Sequence, residues 1–199
     1  MCIAERRQRQ KEEIKKHILS TAWQMVKEDG WEAVSIRKIA DAIEYSAPVI
    51  YDHFENKEAL LWEFAKEGFR ILSKKIQRAK DTSDEPKEQL KAMADAYWNF
   101  AFKNKEFYQL MFGIGMPGCE IEKCFPERLG FRSLVMEPIT SIISEGTNSH
   151  ANPCLKYYTF WSILHGLISM KSMSNASTSD EINKLVMDDA IEGFIKNLG

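Results

Sequence analysis

The sequence predicts an all-α fold, with an N-terminal three-helix domain followed by a larger helical C-terminal domain. Apolar residues recur at spacings of three and four along most of the 199 residues, which is the period of one helix face. The first proline is Pro48, so no proline interrupts the helical pattern before that position. No segment shows the strict alternation of apolar and polar residues that a half-buried strand requires.

The first helix is predicted from about Gln10 to Glu28. Gly30 follows it and is a natural helix stop. One face of this helix carries a row of apolar side chains, which are Ile14, Ile18, Ala22, Met25 and Val26. The amphipathic pattern predicts that this row packs against the helices that follow.

Two short helices of about eight residues come next. Ser35 can cap the first of them, whose inward residues are Ile36, Ile39, Ala40 and Ile43. After a turn of residues 44–46, Ser46 can cap the second, with Pro48 in its first turn and Val49 and Ile50 as its apolar contacts. Two short helices joined by a tight turn and supported by a longer helix predict a helix-turn-helix.

Helices also account for the remainder of the chain. Asn56 can cap a long helix that ends near Ala79, and Pro86 opens the next one. A broken segment, GIGMPGCEIEKCFPE, separates the later helices, one of which is kinked or restarts near Pro138. Asn152 and Pro153 open the helix after it, and Thr178 with Glu181 forms a capping box for the last, which runs to Leu198.

The domain organisation follows from a change in composition after Pro86, where aromatic and Met residues become more frequent. We predict a helix-turn-helix DNA-binding domain of residues 1–57, extended by the helix of about 57–79. Residues 80–199 then form a second, larger helical domain.

Composition and charge exclude several classes of protein. The 27 basic and 29 acidic residues give a net charge of −2, which argues against a general polyanion binder. Residues 5–16 nevertheless contain six basic and three acidic side chains. This segment either contacts a phosphate backbone or is a solvated helical turn.

The sequence also predicts a cytoplasmic protein that has no membrane partner and no metal or other cofactor. The N-terminus has a charged run from Glu5 onward in place of the apolar run of a signal peptide, and no stretch approaches the ~20 apolar residues of a membrane span. The four cysteines lack the spacing and histidine partners of a zinc site.

Residues 14–64 resemble the DNA-binding domain of the TetR family of transcriptional repressors. The resemblance rests on the stretch SIRKIADAIEYSAPVIYDHFENKEALLWEF, and in particular on Ile39, Ala40, Ser46, the YDHF unit and the NKEAL that opens the fourth helix. A weaker resemblance lies in WSILHGL, where Trp161, His165 and Gly166 are similar to a Trp, His and Gly signature of one group of C-terminal domains. The family implies a ligand-responsive repressor that binds a palindromic DNA operator as a homodimer. It also implies that residues 80–199 are the effector-binding and dimerisation domain.

The turn of the helix-turn-helix departs from this family. Many relatives have Ala-Gly-Val where this chain has Ile43, Glu44 and Tyr45. A residue other than glycine must then adopt the turn conformation, at a cost of ~1 kcal/mol if its φ angle is positive. Glu44 also brings a negative charge toward the phosphates, so we expect altered turn geometry or operator preference.

The residues expected to contact DNA lie in and around the second short helix. Ala47 and Pro48 offer apolar contact to a thymine methyl, and Arg37 on the preceding helix can donate to guanine or to phosphate. The resemblance implies phosphate contacts by Tyr51 and His53. The full predicted set is Arg37, Ser46, Ala47, Pro48, Tyr51, His53 and Lys57. The alternatives are that Tyr51 packs in the core and that the charged residues are ordinary surface groups.

The effector is predicted to be a small, mostly apolar molecule of unknown identity. The residues proposed to bind it are aromatic, Met and His side chains at helical spacings, namely Trp98, Phe102, Tyr108, Met111, Phe112, Tyr157, Trp161 and His165. The same pattern is compatible with an ordinary helical core.

The last two helices are both amphipathic and are suited to a four-helix bundle across a two-fold axis. The candidate dimer interface consists of Leu185, Ala190, Ile191, Phe194 and Leu198. The alternative for this set is an intramolecular core.

Two other classes of function compete with the DNA-binding regulator. The first is a helical ligand-binding or adaptor protein that has the same fold and no longer binds DNA, an alternative that Glu44 and the net charge favour. The second is an enzyme. The sequence contains no GxSxG, HExxH or phosphate-binding glycine loop, so we do not predict catalysis.

Overall fold

The computed structural model describes residues 3–112, 126–146, 150–173 and 180–199. These residues form helices and turns without any strand, which confirms the predicted all-α fold. No helix in the described ranges has the length and apolar character needed to cross a membrane. The residues between Gly113 and Phe125 and the predicted cap Thr178 lie outside the described ranges.

The described residues contain nine α-helices and one short 3-10 helix. Their bounds are α1 Ile3–Asp29, the 3-10 helix Trp31–Ala33, α2 Ile36–Ala42, α3 Ala47–Tyr51, α4 Lys57–Lys80, α5 Pro86–Lys103, α6 Lys105–Phe112, α7 Pro126–Glu145, α8 Pro153–Met173 and α9 Asp180–Lys196. Helix α1 begins earlier than predicted, because the charged segment before Gln10 is also helical. Helix α7 continues through Pro138 as one element.

The described chain divides into two compact units, and the division falls within α4. The first unit contains the residues up to Ala65 together with 109–112, and the second contains Lys66–Tyr108 and the residues from Pro126 onward. The assignment of effector binding and dimerisation to residues 80–199 stays a prediction.

In the first unit, α1 packs against the helix-turn-helix through a stripe of small and branched side chains. Ile18, Ala22 and Val26 of α1 are buried, as are Ile39 of α2 and Ile50 of α3. Beside this stripe lies an aromatic group, in which the ring centroids of Trp31 and Phe64 are 5.5 Å apart and those of Trp23 and Phe64 are 5.8 Å apart. Burial of these apolar surfaces stabilises the unit and fixes how α3 is presented.

The predicted helix caps of the first unit have two different outcomes. The hydroxyl of Ser35 accepts a hydrogen bond from the backbone N–H of Lys38 at 3.1 Å, and the amide oxygen of Asn56 accepts one from the N–H of Ala59 at 2.8 Å. Ser46 occupies the cap position of α3, but its side chain makes no capping hydrogen bond. Two of the three caps are therefore confirmed in full.

Helix α3 has five residues, so the prediction of about eight was wrong for this element. The chain leaves the helix after Tyr51 because Phe54 turns back into the core, where it is buried. The backbone N–H of Phe54 donates to the carbonyl of Ile50 at 2.9 Å, which closes this turn. Helix α2 is also slightly shorter than expected, with seven residues.

The turn between α2 and α3 places Glu44 in the left-handed region, with φ of 60°. This confirms the expectation that a residue other than glycine takes the turn conformation. The N–H of Tyr45 donates back to the carbonyl of Ala40 at 3.0 Å, so the turn closes the end of α2 as a glycine-containing turn would.

The second unit is built from α5, α7, α8 and α9, which pack on one another around a common core. Phe100, Ile139 and Leu164 are among its buried side chains. Lys80, at the end of α4, is also buried and forms an ion pair with Glu137 of α7. Asn152 caps α8 as predicted, because its side-chain oxygen accepts from the N–H of Leu155 at 3.2 Å.

Three residues of the predicted dimer interface belong to this core. Ile191, Phe194 and Leu198 are 2%, 5% and 0% exposed within a single chain, so they are not available to a second copy. The intramolecular alternative is correct for these three, because the inward face of α9 packs on α8 and α5. Ala190 is half-buried, and Leu185 is 62% exposed.

The conformation of Glu44 yields a prediction about stability. Replacing Glu44 by glycine should raise the free energy of unfolding by about 1 kcal/mol, because glycine adopts a positive φ without a Cβ clash. Glu44→Ala removes the carboxylate but retains the Cβ, so it should give no such increase. Urea unfolding of the three proteins measures the difference, and equal midpoints for the Gly and Ala variants would contradict the backbone explanation.

Candidate functional site

The helix-turn-helix presents one polar, exposed surface and one buried surface. On α3, Ile50 is fully buried, whereas Pro48 and Tyr51 are exposed on the other side of the helix. Arg37, the second residue of α2, is also exposed. Ser46 lies exposed just before α3, and Ala47 begins the helix half-buried. A short helix with this exposure has the form needed to enter a DNA groove.

The predicted phosphate-contacting residues lie at the end of α3 and shortly after it. Tyr51 is the last residue of α3 and is 54% exposed, which excludes the alternative that it packs in the core. His53 is half-buried in the turn that follows, and Lys57 is the first residue of α4. The unpaired N–H groups at the start of a long helix favour an anion, so the position of Lys57 suits a phosphate.

The surroundings of His53 are positively charged. Partial burial lowers the pKa of His53, and the charge of Lys11 lowers it further. Asp52 opposes this effect, and Lys15 adds to it. Since the nearby lysines disfavour the imidazolium, an anion bound at this position would favour it.

The second unit contains a cluster of aromatic side chains around His165, which we call the aromatic cluster. It consists of Tyr97 from α5, Tyr108 from α6, Phe131 from α7 and Tyr157, Trp161 and His165 from α8. The rings of Trp161 and His165 are stacked, with centroids 4.8 Å apart. The rings of Tyr97 and Trp161 meet edge to face, with centroids 4.5 Å apart.

Both ring nitrogens of His165 are hydrogen-bonded to tyrosine hydroxyls. Nε2 is 3.2 Å from the Tyr97 oxygen, and Nδ1 is 2.8 Å from the Tyr108 oxygen. Burial lowers the pKa of His165 to about 4, so the imidazole is neutral at pH 7. A neutral imidazole has one donor and one acceptor nitrogen, so one tyrosine donates to the ring and the other accepts from it.

The tyrosines of the cluster are also neutral. Burial raises the pKa of Tyr97 well above its ordinary value and raises that of Tyr108. Burial raises the pKa of Tyr157 to about 12. The cluster therefore combines apolar ring surface with polar groups that carry no formal charge, which is a composition suited to a largely apolar ligand with a few hydrogen-bonding atoms.

The structure brings together four of the eight residues predicted to bind an effector, namely Tyr108, Tyr157, Trp161 and His165. Trp98 and Phe102 form a separate pair, 4.9 Å apart, and the Lys171 ammonium lies 5.4 Å and 4.8 Å from the centres of their rings. Met111 and Phe112 belong to the first compact unit. The role of the whole set in effector binding stays a prediction.

Tyr97 and Phe131 are members of the cluster that the sequence patterns did not single out. Tyr97 lies on the buried face of α5 with Leu90, Ala94 and Ala101, at helical spacings of three and four. That periodicity could have separated it from Trp98, which is the next residue and lies on a different face. The sequence contains no comparable signal for the contact between Phe131 and Trp161, because it depends on how α7 and α8 pack.

The fold and this site define a helix-turn-helix DNA-binding protein with a helical C-terminal region. The family model "Bacterial regulatory proteins, tetR family" matches residues 18–69, and "Tetracyclin repressor-like, C-terminal domain" matches residues 90–190. The chain belongs to the TetR family of bacterial regulatory proteins, which is a family of regulators and not of enzymes.

Individual relatives are similar to this chain in sequence or in fold. The transcriptional activator FasR of Mycolicibacterium smegmatis is 26% identical over 102 residues, which are 51% of this chain and 47% of FasR. The chain thus spans about half the length of FasR. A crystal structure of AibR with isovaleryl coenzyme A and operator DNA is similar with a TM-score of 0.64 and 15% identity, covering 90% of this chain and 96% of AibR. FadR from Bacillus subtilis, in complex with stearoyl-CoA, has a TM-score of 0.64 and 14% identity, covering 90% and 97% of the two chains.

The burial of neutral His165 predicts a dependence of stability on pH. Its pKa is about 4 in the folded protein and 6.5 ordinarily, so between these values the unfolded chain binds more protons. The stabilisation is complete above pH 6.5 and is lost as the pH falls toward 4. Its size is on the order of 3 kcal/mol over that range.

Replacing His165 by glutamine should flatten this dependence, because glutamine can donate and accept hydrogen bonds without titrating. Urea unfolding at several values between pH 7 and pH 4.5 measures it. The control is His150→Gln, at an exposed position, and its free energy of unfolding should depend on pH as that of the parent does. The explanation would be wrong if His165→Gln retained the slope of the parent.

Proposed function

We propose that this chain is a ligand-responsive transcriptional regulator that binds a palindromic DNA operator as a homodimer and represses transcription until an effector binds. The observation that carries the proposal is the presentation of α3, where Tyr51 is 54% exposed and its neighbour Ile50 is fully buried. Such a helix is anchored from one side and free to enter a groove on the other.

Recognition of DNA would combine positioning contacts with limited reading of bases. Tyr51 and His53 would donate hydrogen bonds to phosphate oxygens, and Lys57 would add a charge there. Ala47 and Pro48 would contact a thymine methyl, and Arg37 would donate to guanine or to a phosphate. Because these positioning contacts use hydrogen bonds as much as charge, a chain with net charge −2 can bind DNA.

The effector would be a molecule with an apolar acyl chain. The aromatic cluster supports this proposal, because it offers ring surface and the uncharged hydrogen-bonding groups of Tyr97, Tyr108 and His165. AibR and FadR, which have the same fold, are bound to acyl coenzyme A thioesters. An acyl chain that separated Trp161 from His165 would repack α5, α6 and α8, and this repacking would be the coupling to DNA binding.

The dimer surface would be the exposed faces of α8 and α9. This surface replaces the part of the predicted interface that is buried, namely Ile191, Phe194 and Leu198. Large apolar side chains are exposed there, namely Leu155, Tyr158, Met170, Met173, Ile182, Leu185 and Val186. On α8, exposed Ser162 and Gly166 lie between them at helical spacing and would let a second helix approach closely. Exposed apolar surface of this extent favours association of two copies.

DNA binding is tested by the fluorescence anisotropy of labelled DNA from the promoter region of the protein's own gene, compared with random DNA. We expect tight, salt-sensitive binding by the parent. Tyr51→Phe should weaken it by about tenfold or more, the value of one charge-assisted hydrogen bond. Lys57→Ala should also weaken it and make the salt dependence shallower by about 0.9. The charge-matched control is Lys103→Ala, since Lys103 is exposed on α5.

The same assay tests the effector. Isovaleryl, palmitoyl and stearoyl coenzyme A are titrated into the complex, with coenzyme A alone as the control, and we expect at least one acyl thioester to release the DNA. If the parent bound no better to promoter DNA than to random DNA, a genome-wide selection of bound fragments would follow. Failure there as well would favour the alternative of a ligand-binding protein that no longer binds DNA.

The dimer surface yields a further prediction. Met170→Glu combined with Leu185→Glu should convert a dimer to a monomer, because each subunit would bury two carboxylates in the interface. Sedimentation velocity measures the mass. Leu129→Glu is the matched control, since Leu129 is 46% exposed on α7 and lies outside the proposed surface. Dissociation by the control as well, or a parent that is already monomeric, would contradict the proposed surface.

A further inference from the structure

A hollow with a volume of about 400 Å³ lies in the first compact unit beside the recognition helix. The N-terminal turns of α1 form one wall with Arg7, Gln10 and Lys11. Val49, Asp52 and His53 form the other. Arg7 and Lys11 precede the matched family segment, which begins at residue 18, and they belong to the basic segment of residues 5–16, for which the sequence left two alternatives open.

Helix phase explains why these two cations face the hollow. Positions 7, 11, 14, 18 and 22 are separated by three or four residues, so their side chains follow one face of α1. This face is buried at Ile18 and Ala22, where it packs on the helix-turn-helix. Toward the N-terminus, α1 extends beyond the core, and the same face turns Lys11 and Arg7 toward the region of α3.

The hollow has an excess of positive charge. Arg7 and Lys11 are basic side chains, and Asp52 is the single carboxylate among the residues that line it. Lys15, one turn further along α1, is paired with Glu63 at 3.5 Å, whereas no ion pair with a described residue engages Arg7 or Lys11. The lowered pKa of His53 has the same origin in part, since Lys11 contributes to it. This distribution of charge favours the binding of an anion.

We propose that Arg7 and Lys11, together with the imidazole of His53, bind one phosphate group of the DNA backbone next to the recognition helix. This inference rests on the proposed DNA-binding function and adds α1 to the binding surface. Arginine offers a planar pair of donors that match two phosphate oxygens, and lysine adds a point charge. DNA is the appropriate source of the phosphate because the hollow adjoins Tyr51 along the chain, and Tyr51 is the exposed end of α3.

The N-terminal turns contain a matched control. Arg9 and Lys16 are seven residues apart and share a face that is rotated by roughly half a turn from that of Arg7 and Lys11. Both are exposed. Two double variants therefore remove the same charge from the same helix, namely Arg7→Gln with Lys11→Gln and Arg9→Gln with Lys16→Gln. They differ only in the face of the helix from which the charge is removed.

Operator affinity is measured for the parent and both double variants over a series of salt concentrations. The plot of log K against log salt should become shallower by about 0.9 for the Arg7/Lys11 pair, as expected when one phosphate is no longer neutralised. The Arg9/Lys16 pair should retain the slope of the parent. Circular dichroism verifies that all three proteins are equally helical. Equal changes of slope in the two variants, or no change in either, would overturn the inference.

A second measurement identifies the phosphate directly. Single phosphates of the operator are replaced in turn by neutral methylphosphonates, and one position in each half-site should weaken binding by the parent. The Arg7/Lys11 variant should be insensitive at that position, while the Arg9/Lys16 variant should remain sensitive. If the Arg7/Lys11 variant were still weakened by the methylphosphonate at that position, the inference would be wrong. If the parent did not bind operator DNA at all, the proposed function itself would fail, which is a distinguishable result.

Discussion

The recognition helix is too short to be stable by itself, and this constraint organises the first unit. A helix of five residues forms barely one turn, so its conformation depends on tertiary packing and not on helical propensity. Ile50 and Phe54 provide that packing, since both are buried and the backbone between them is closed by a hydrogen bond. The length of α1 and the aromatic contacts of Trp31 and Phe64 are best understood as the support that such a helix requires.

In the second unit, the comparable constraint is the hydrogen bonding of a half-buried imidazole. His165 occurs where a charged form would be costly, and its two nitrogens are provided with hydroxyl partners from two other helices. The arrangement fixes α5, α6 and α8 relative to one another through directional bonds, in addition to the non-directional burial of rings. Any ligand that competes for these hydroxyls must therefore act on three helices at once.

Much of this architecture could be predicted from the sequence because it depends on local signals. The caps of Ser35 and Asn56, the positive φ of Glu44 and the inward row of α1 are all fixed by residues within one or two turns. The length of α3 could not be predicted in this way, because the return of Phe54 to the core ends the helix. The two faces of α9 were likewise ambiguous. Its periodicity shows that one face is apolar, but only the packing on α8 and α5 shows that Ile191 faces inward while Leu185 does not.

The candidate site shows the same division. Tyr51 ends α3, and His53 and Lys57 follow it closely in sequence, so a motif could locate them. The aromatic cluster joins residues from four helices, and Tyr97 enters it because it lies on the buried face of α5. Side chains that meet only through packing leave no short motif, which is why half of the predicted effector set is elsewhere.

The stacking of Trp161 on His165 has a practical consequence for spectroscopy. The emission of an indole depends on the groups that lie against its ring, and the ring of Trp161 lies against that of His165. A molecule that inserts between the two rings changes that contact directly. Trp161 is one of five tryptophans in the chain, and it is the one whose emission would change directly when a ligand enters the cluster.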